Sequence, residues 1–438
     1  MASTSAAAAA VDIHHLRELA KRRLPAALFS ALDHGSEDDV AYHHNREVLE
    51  RIKLIHRVLN DVSGRDPSIT LFGKEHALPL IVAPTGITSW ISYRGELSLA
   101  RAAAAANIPF ALTSTTDTPM ETTLQEGGGT QWYQPMIWRD VEASLRGITR
   151  ARDAGFEALI LSVDAIVPYN RPHDQRNRVT FPMNLRPGNM LESVRRPRWT
   201  LGTPVRYLIT ERRLPAMTNV DFPAGLSRAE TGDFLTKADS LNWDFLRRIR
   251  TLWPRTLIVK GLLHPDDATQ AVACGADGIV VSNQGGGIND AAPSPIEMLP
   301  GIAAAVAGRA TIMVDSGFRR GSDVLKALAL GADAVLVGRA ALYGLGAGGE
   351  VGAQRALSLL GNEIQRMMGA LGLSDLASIS RDHVVLPGDL LHLADASLPW
   401  KRLHRDESRP DHDDSAAFRS SDAEPVHESI SQFEEPLA

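Results

Sequence analysis

Two stretches of matching design decide the fold: 266–283 (DDATQAVACGADGIVVSN) and 321–339 (GSDVLKALALGADAVLVGR). Each begins with a helical pattern, passes through Gly-Ala-Asp and ends in an apolar run typical of a buried strand. Helix–turn–strand units of this kind are typical of α/β proteins with a parallel sheet. We therefore expect the same alternation through much of the chain.

Six further apolar runs rich in strand-forming residues fit this expectation. The predicted strands are LPLIVAPTG (78–86), PFALTS (109–114), TQWYQPM (130–136), ALILSVD (158–164), TLIVKGL (256–262), GIVVSN (278–283), TIMVDSG (311–317) and AVLVGR (334–339). Each is followed by a plausible helix, so the pattern predicts the α/β class and a (β/α)₈ TIM barrel. A doubly wound sheet is the alternative, but it would need fewer strands or an edge extension.

The predicted barrel domain covers residues 13–390 and includes an N-terminal helical segment before Leu78. A long lid-like loop, about 181–240, follows the fourth strand on the face where barrel active sites form. Residues 1–12 are low in complexity, and residues 405–438 are acidic and poor in aromatics. We expect both ends to be disordered.

Composition narrows the class of protein. The net charge of -6 argues against a nucleic-acid partner, and no apolar run is long enough to span a membrane. The single cysteine, Cys274, excludes an intrachain disulfide. The opening MASTSAAAAA lacks the basic start and long apolar core of a signal peptide, so the cytoplasm is the expected location.

Polar side chains stand at the carboxyl ends of the predicted strands, the functional end of a barrel. They include Thr85, Thr113, Gln134, Asp164, Lys260, Ser282, Asp315 and Arg339. The glycines and arginines of VDSGFRRG (314–321) and VGR (337–339) follow the seventh and eighth strands, where barrels commonly bind phosphate. Lys260 ends an apolar strand, so we expect its ammonium to face the mouth and an electron-rich ring.

From about Ile13 to Val385 the chain resembles the FMN-dependent α-hydroxy acid oxidase/dehydrogenase family, which includes glycolate oxidase, lactate monooxygenase and mandelate dehydrogenase. The motifs RLPAALFSALDHGSED, IVAPTG, LSVD, VKG and DSGFRRGSDVLKALALGAD carry the resemblance, in the family's order. The resemblance implies FMN as cofactor and a homo-oligomer, often a tetramer. It implies FMN contacts from Pro84, Thr85, Gly86, Thr113, Gln134, Ser162, Lys260, Ser282, Asp315, Ser316, Gly317, Phe318, Arg319, Gly338 and Arg339.

The substrate side departs from the family. Ala31 and Met136 replace two tyrosines, Gln284 replaces the proton-abstracting histidine, and Gly287 replaces a carboxylate-binding arginine. Arg171 and Asp164 still match the family's substrate arginine and the aspartate that orients the histidine. We place Gln284, Asp164 and Arg171 in the catalytic set. Ala31, Met136, Arg171, His173 and Gly287 form the predicted substrate pocket.

The replaced histidine leaves the acid–base chemistry open, because the Gln284 amide cannot take up a proton near neutral pH. Asp164 is one candidate base if burial raises its pKa, and His173 is a second. A third route needs no base on the heteroatom, because a neutral amine can release hydride by using its own lone pair.

Three functions are compatible with these residues. The first is oxidation of a bulky α-hydroxy acid or α-amino acid-like substrate with dioxygen or another electron acceptor, in a specialised metabolic pathway. The second is an FMN enzyme of another class: a monooxygenase, an oxidative decarboxylase or an isomerase. The third is a non-catalytic flavin-binding barrel.

Overall fold

The computed structural model describes residues 2–177, 192, 194–222 and 235–390. The predicted lid-like loop at 181–240 lies partly outside these residues, and the predicted acidic tail at 405–438 lies wholly outside them. None of the helices within the described ranges is both long enough and apolar enough to cross a membrane.

Eight parallel strands close into a barrel, as predicted. They are β4 (Leu80–Val82), β5 (Phe110–Thr113), β6 (Gln131–Gln134), β7 (Ala158–Ser162), β8 (Thr256–Leu262), β9 (Gly278–Val281), β10 (Thr311–Val314) and β11 (Ala334–Val337). The last strand pairs in parallel with the first, with Val335 opposite Leu80. This closure excludes the doubly wound sheet. Three short strands lie outside the barrel: β1 (Lys53–Leu54) pairs with β12 (Val384–Val385), and β2 (Ile69–Leu71) with β3 (Lys74–His76).

Helices surround the barrel and precede it. The N-terminal segment contains α1 (Ala2–Ala8), α2 (Ile13–Arg23), α3 (Ala26–Asp33) and α4 (Val40–Arg51). The barrel helices are α5 (Thr88–Ile91), α6 (Gly95–Ala105), α7 (Met120–Gly127), α8 (Val141–Ala154), α9 (Pro172–Arg176), α10 (Pro197–Gly202), α11 (Pro204–Thr210), α12 (Trp243–Leu252), α13 (Pro265–Ala273), α14 (Pro295–Val306), α15 (Gly321–Ala329), α16 (Arg339–Gly348) and α17 (Glu350–Leu371). A 3₁₀ turn covers Arg381–His383.

The N-terminus differs from the predicted disorder over residues 1–12. Helix α1 covers Ala2–Ala8, and Ala7 and Ala10 are fully buried in the main core. Alanine has the highest helix propensity and loses no side-chain entropy on burial. A run of alanines that looks like low complexity can therefore form a helix wherever its methyl groups find a surface to pack on.

The Gly-Ala-Asp motifs join each helix to the next strand in the same way. The two glycines have φ of +94° and +105°, a left-handed conformation that ends a helix without a Cβ penalty. A carboxylate oxygen of Asp277 accepts the N–H of Leu257 at 2.8 Å, and one of Asp333 accepts the N–H of Ile312 at 2.7 Å. Each aspartate thus bonds to the neighbouring strand, which fixes how consecutive units pair.

The amino end of the barrel is closed by the hairpin of β2 and β3. Leu71 is buried with the barrel-interior side chains, and the Phe72 ring lies edge-on to Trp132 at 5.8 Å between centroids. A Cβ added at Gly278 would lie 2.8 Å from the Phe72 ring, so glycine is required where this side chain enters. Among the described residues, these side chains fill the barrel interior at its amino end, which leaves the carboxyl ends of the strands as the open end of the barrel.

Candidate active site

A cavity of about 850 Å³ lies at the carboxyl ends of the barrel strands. This volume lies within the usual range for cofactor and ligand sites, roughly 300–1,000 Å³. Most residues predicted for the site line it: Ala31, Pro84, Thr85, Gly86, Thr113, Gln134, Met136, Ser162, Arg171, Lys260, Gln284, Gly287, Asp315, Ser316, Gly317, Phe318, Arg319, Gly338 and Arg339. Asp164, Ser282 and His173 do not.

Lys260 is not a lone charge. Its ammonium donates to the Ser282 hydroxyl at 2.8 Å and lies 3.1 Å from a carboxylate oxygen of Asp315. The Lys260 side chain is only 6% exposed, so this pairing offsets the cost of burying a charge. Ser282 is fully buried behind the lysine, and its hydroxyl also accepts the N–H of Gln284 at 3.0 Å. Ser282 therefore positions the two residues that line the cavity.

The loop after β10 is held in a conformation that few side chains tolerate. Ser316 has φ of +79°, and its hydroxyl donates to Asp315 and accepts the N–H of Gly285 at 2.9 Å. Gly317 follows with φ of +88°, and a Cβ there would lie 2.8 Å from the Asn45 carbonyl oxygen. Backbone strain of this kind concentrates at ligand sites.

Donors suited to a phosphate stand beside this loop. Helix α16 begins at Arg339 against the cavity, and the first-turn N–H groups of a helix lack intrahelical partners. Arg319 donates one terminal nitrogen to the Phe318 carbonyl and lies 5.5 Å from the Tyr343 ring centroid. Arg339, which the sequence places beside the expected phosphate site, is bonded to the protein itself. Its three nitrogens donate to the carbonyls of Leu32, His34 and Gly285, so it braces the loops around the site.

On the substrate side, Gln284 occupies the place between Asp164 and the cavity. Its amide nitrogen donates to a carboxylate oxygen of Asp164 at 2.7 Å, and its amide oxygen accepts the Tyr169 hydroxyl at 3.4 Å. Burial raises the pKa of Asp164, although Lys260 and the Gln284 bond oppose the shift. Since Gln284 separates it from the cavity, Asp164 does not contact a ligand directly in this arrangement.

Arg171 lines the cavity with its guanidinium already engaged. One terminal nitrogen donates to the Ala31 and His34 carbonyls at 2.8 and 3.1 Å, and Nε lies 3.3 Å from a carboxylate oxygen of Asp174. Nε also donates to the Gly35 carbonyl. The predicted substrate arginine therefore ties α9 to the end of α3, and part of its donor capacity is used there.

His173 is displaced from the predicted substrate pocket. Its ring stacks on His34 at 4.0 Å between centroids, and its Nε2 lies 3.3 Å from a carboxylate oxygen of Asp39. The same Asp39 oxygen lies 2.5 Å from Nδ1 of His34. This carboxylate holds both rings, so His34 rather than His173 lines the cavity. His173 is not placed to act as the missing base.

Sequence reasoning missed several cavity residues, among them Trp138, Tyr169 and Lys237. Tyr169 stands two positions before Arg171, so the neighbourhood of the matched arginine could have revealed it. Trp138 follows Met136 just beyond the third predicted strand in the same way. Lys237 had no such signal, because it lies in the long weakly periodic segment.

The closed barrel, the buried Lys260 and the start of α16 at the cavity fit a flavin-dependent barrel oxidoreductase. The chain belongs to the FMN-dependent dehydrogenase family, whose sequence profile it matches over residues 20–386. It is 37% identical to (S)-mandelate dehydrogenase of Pseudomonas putida over 376 residues, covering 85% of this chain and 93% of that protein. It is 36% identical to L-lactate dehydrogenase of Alcaligenes faecalis over 374 residues, covering 84% of this chain and 97% of that enzyme.

Comparison with solved structures supports the same family. The crystal structure of monotopic membrane protein (S)-mandelate dehydrogenase matches with a TM-score of 0.81 at 35% identity, covering 86% of this chain and 100% of that one. A mandelate oxidase variant with (S)-mandelic acid matches with a TM-score of 0.71 at 33% identity, covering 86% and 98%. The protein is therefore an FMN-dependent oxidoreductase of the hydroxy acid dehydrogenase/oxidase family.

The donor set fits FMN. A buried lysine, amide and hydroxyl groups at the strand ends, and a helix N-terminus beside an arginine match the isoalloxazine and phosphate ends of this cofactor. When bound, FMN accepts two electrons with the hydrogen removed from the substrate carbon. The residues of the chain supply binding, orientation and proton handling.

Proposed function

We propose that the protein oxidises a bulky α-hydroxy acid or α-amino acid, within the chemistry of its family. The observation that carries the proposal is the cavity wall formed by Ala31, Met136 and Gly287. These residues are smaller or less polar than the two tyrosines and the arginine that the family resemblance leads one to expect there. They leave room and apolar surface for a large side chain on the substrate.

The fixed amide at position 284 affects the two substrate classes differently. A hydroxyl group must lose a proton as its α-hydrogen leaves, and Gln284 cannot accept that proton. Loss of a positioned base typically costs about 10²–10⁴ in rate. A neutral amine needs no such transfer while hydride leaves, because its own lone pair forms the C=N bond of an iminium ion, which can lose its proton to water afterwards. Gln284 can still orient the amine through its bonds to Asp164 and Tyr169.

The proposal is tested by anaerobic mixing of the FMN-loaded protein with matched 2-hydroxy acids and 2-amino acids of increasing side-chain size. Absorbance of the oxidised flavin is followed. Bleaching that increases with side-chain size supports the proposal, and the class that bleaches identifies the reacting group. Bleaching only by small acids would refute the bulky substrate. Product masses separate simple oxidation from monooxygenation, decarboxylation and isomerisation, and reoxidation by air tests dioxygen as the acceptor.

We also propose that the protein is a cytoplasmic homo-oligomer that acts in specialised metabolism. A membrane surface is an alternative location that one observation favours. Leu201, Leu208 and Ile209 are exposed by 65%, 50% and 74%, and the exposed Arg198 lies in the same pair of helices, α10 and α11. Apolar groups mixed with arginines suit an anionic lipid surface. Co-flotation with vesicles of phosphatidylglycerol, lost in Leu208→Ser/Ile209→Ser, would support that alternative, and absence of co-flotation would favour the cytoplasm.

A further inference from the structure

Lys237 reaches the cavity from the far end of the long segment after β7. The backbone there pairs with the chain just after β6: Trp138 and Lys237 form an antiparallel bridge. The N–H of Ala238 donates to the Ile137 carbonyl at 3.1 Å, and the N–H of Arg139 donates to the Thr236 carbonyl at 2.7 Å. These bonds on both sides fix the position of Lys237 relative to the barrel.

The ammonium of Lys237 has no acceptor among the described residues. Its nitrogen is buried and lies 3.5 Å from the centroid of the Tyr169 ring, which supplies a cation–π contact but accepts no ordinary hydrogen bond. Burial lowers the pKa of Lys237 to about 8, so the side chain is mostly protonated at neutral pH. A buried cation without an acceptor is costly unless an anion completes the site.

The other cations that line the cavity are already bonded. Lys260 pairs with Ser282 and Asp315, and Arg339 donates to three carbonyls. Arg171 donates to the carbonyls of Ala31 and His34 at the end of α3, and Arg319 donates to the carbonyl of the preceding residue, Phe318. Gly287 supplies no charge. Among the described residues, Lys237 is therefore the cavity lysine or arginine whose side chain makes no hydrogen bond at all.

We propose that Lys237 binds the carboxylate of the substrate, in place of the arginine that position 287 lacks. This inference rests on the proposed function, since it assumes that the substrate is an acid. The Tyr169 ring lies against the ammonium, so an aromatic or long apolar substrate would pack beside the tyrosine while its carboxylate meets Lys237. Lys237 is then a specificity residue that selects acids over their neutral analogues.

The test uses two probes that the enzyme does not oxidise at an α-hydroxyl or α-amino group: phenylacetate and the neutral phenylacetamide. Binding to the FMN-loaded protein is measured by calorimetry and by perturbation of the flavin spectrum. Wild type should bind phenylacetate more tightly. Lys237→Met should weaken phenylacetate binding by roughly 10- to 100-fold, the value of a charge-assisted hydrogen bond, and leave phenylacetamide binding unchanged. Lys237→Arg should keep the preference for the acid.

The matched control is Lys74→Met, which removes a surface lysine whose side chain is 54% exposed and should change neither affinity. Lys237→Gln repeats the test if the methionine variant does not fold. Equal binding of acid and amide by wild type would overturn the proposal. So would unchanged phenylacetate affinity with a fall in turnover in Lys237→Met, which would make Lys237 a proton acceptor instead. Because neither probe reports oxidation, a failure to find any oxidised substrate leaves this result readable by itself.

Discussion

Replacing Gln284 by histidine should restore a base at the substrate side of the cavity. The Gln284 amide nitrogen lies 2.7 Å from the Asp164 carboxylate, so one imidazole nitrogen can donate to the same oxygen while the other faces the cavity. Gln284 has φ of +53°, and histidine is among the residues that adopt this left-handed conformation most readily. The substitution therefore adds a proton acceptor with little backbone cost.

The expected increase in the rate of flavin reduction follows from the usual contribution of a positioned base to catalysis. Anaerobic flavin reduction by 2-hydroxy acids should become about 10²–10⁴ faster in Gln284→His, and reduction by 2-amino acids should change far less. Stopped-flow absorbance measures both rates. Gln284→Asn is the matched control, because asparagine also adopts positive φ but cannot take up a proton. If Gln284→His binds FMN normally but its flavin is reduced no faster by any 2-hydroxy acid, the absence of a base at position 284 does not limit the oxidation of hydroxy acids.

Three further outcomes are expected. Lys260→Met should weaken FMN binding by about tenfold or more, measured by fluorescence titration of the apoprotein, because it removes the ammonium expected to face the electron-rich flavin ring and leaves the Asp315 carboxylate without a cation beside it. Gly261→Ala should lower the free energy of unfolding by more than the roughly 1–2 kcal/mol that positive φ costs, because its Cβ would lie 2.3 Å from Asp164. Gly155→Ala, with φ of +109° and open space around it, isolates the backbone cost in the same denaturation experiment. Phenylacetate affinity should be constant below about pH 8 and fall above it, since Lys237 loses its proton there; constant affinity to pH 9.5 would contradict this.

The barrel could be predicted because each helix–turn–strand unit carries its own local sequence signals. All eight predicted runs contain the observed strands. The structure shortens seven of them, as in 78–86, where β4 covers Leu80–Val82, whereas β8 covers the whole of 256–262. In each Gly-Ala-Asp motif the glycine follows a helix and has positive φ. Glycine after a helical pattern is a sequence signal for such a helix end. The hairpin of β2 and β3 was missed because its two strands have only three residues each.

The cavity was predictable where its residues follow a strand and not where they depend on distant chain. Lys260, Gln284 and Gly338 stand at strand ends, so the topology brings them together. Lys237 is held in place by its pairing with Trp138, 99 positions earlier in the chain. No local sequence pattern predicts this pairing. His173 was expected in the pocket from its closeness to Arg171, but the Asp39 carboxylate binds its ring elsewhere.

The bridge between Trp138 and Lys237 has a consequence for how this enzyme could change its substrate range. Because the barrel itself fixes Lys237, the stretch of chain that precedes it can vary in length or sequence without moving that charge. Loop closure makes extra length thermodynamically inexpensive, since each doubling adds only about 0.6 kcal/mol. Grafting the corresponding stretch from a relative, with 236–238 retained, would then replace cavity-lining residues such as Met217 and Phe222 while preserving the lysine proposed to distinguish acids from neutral compounds.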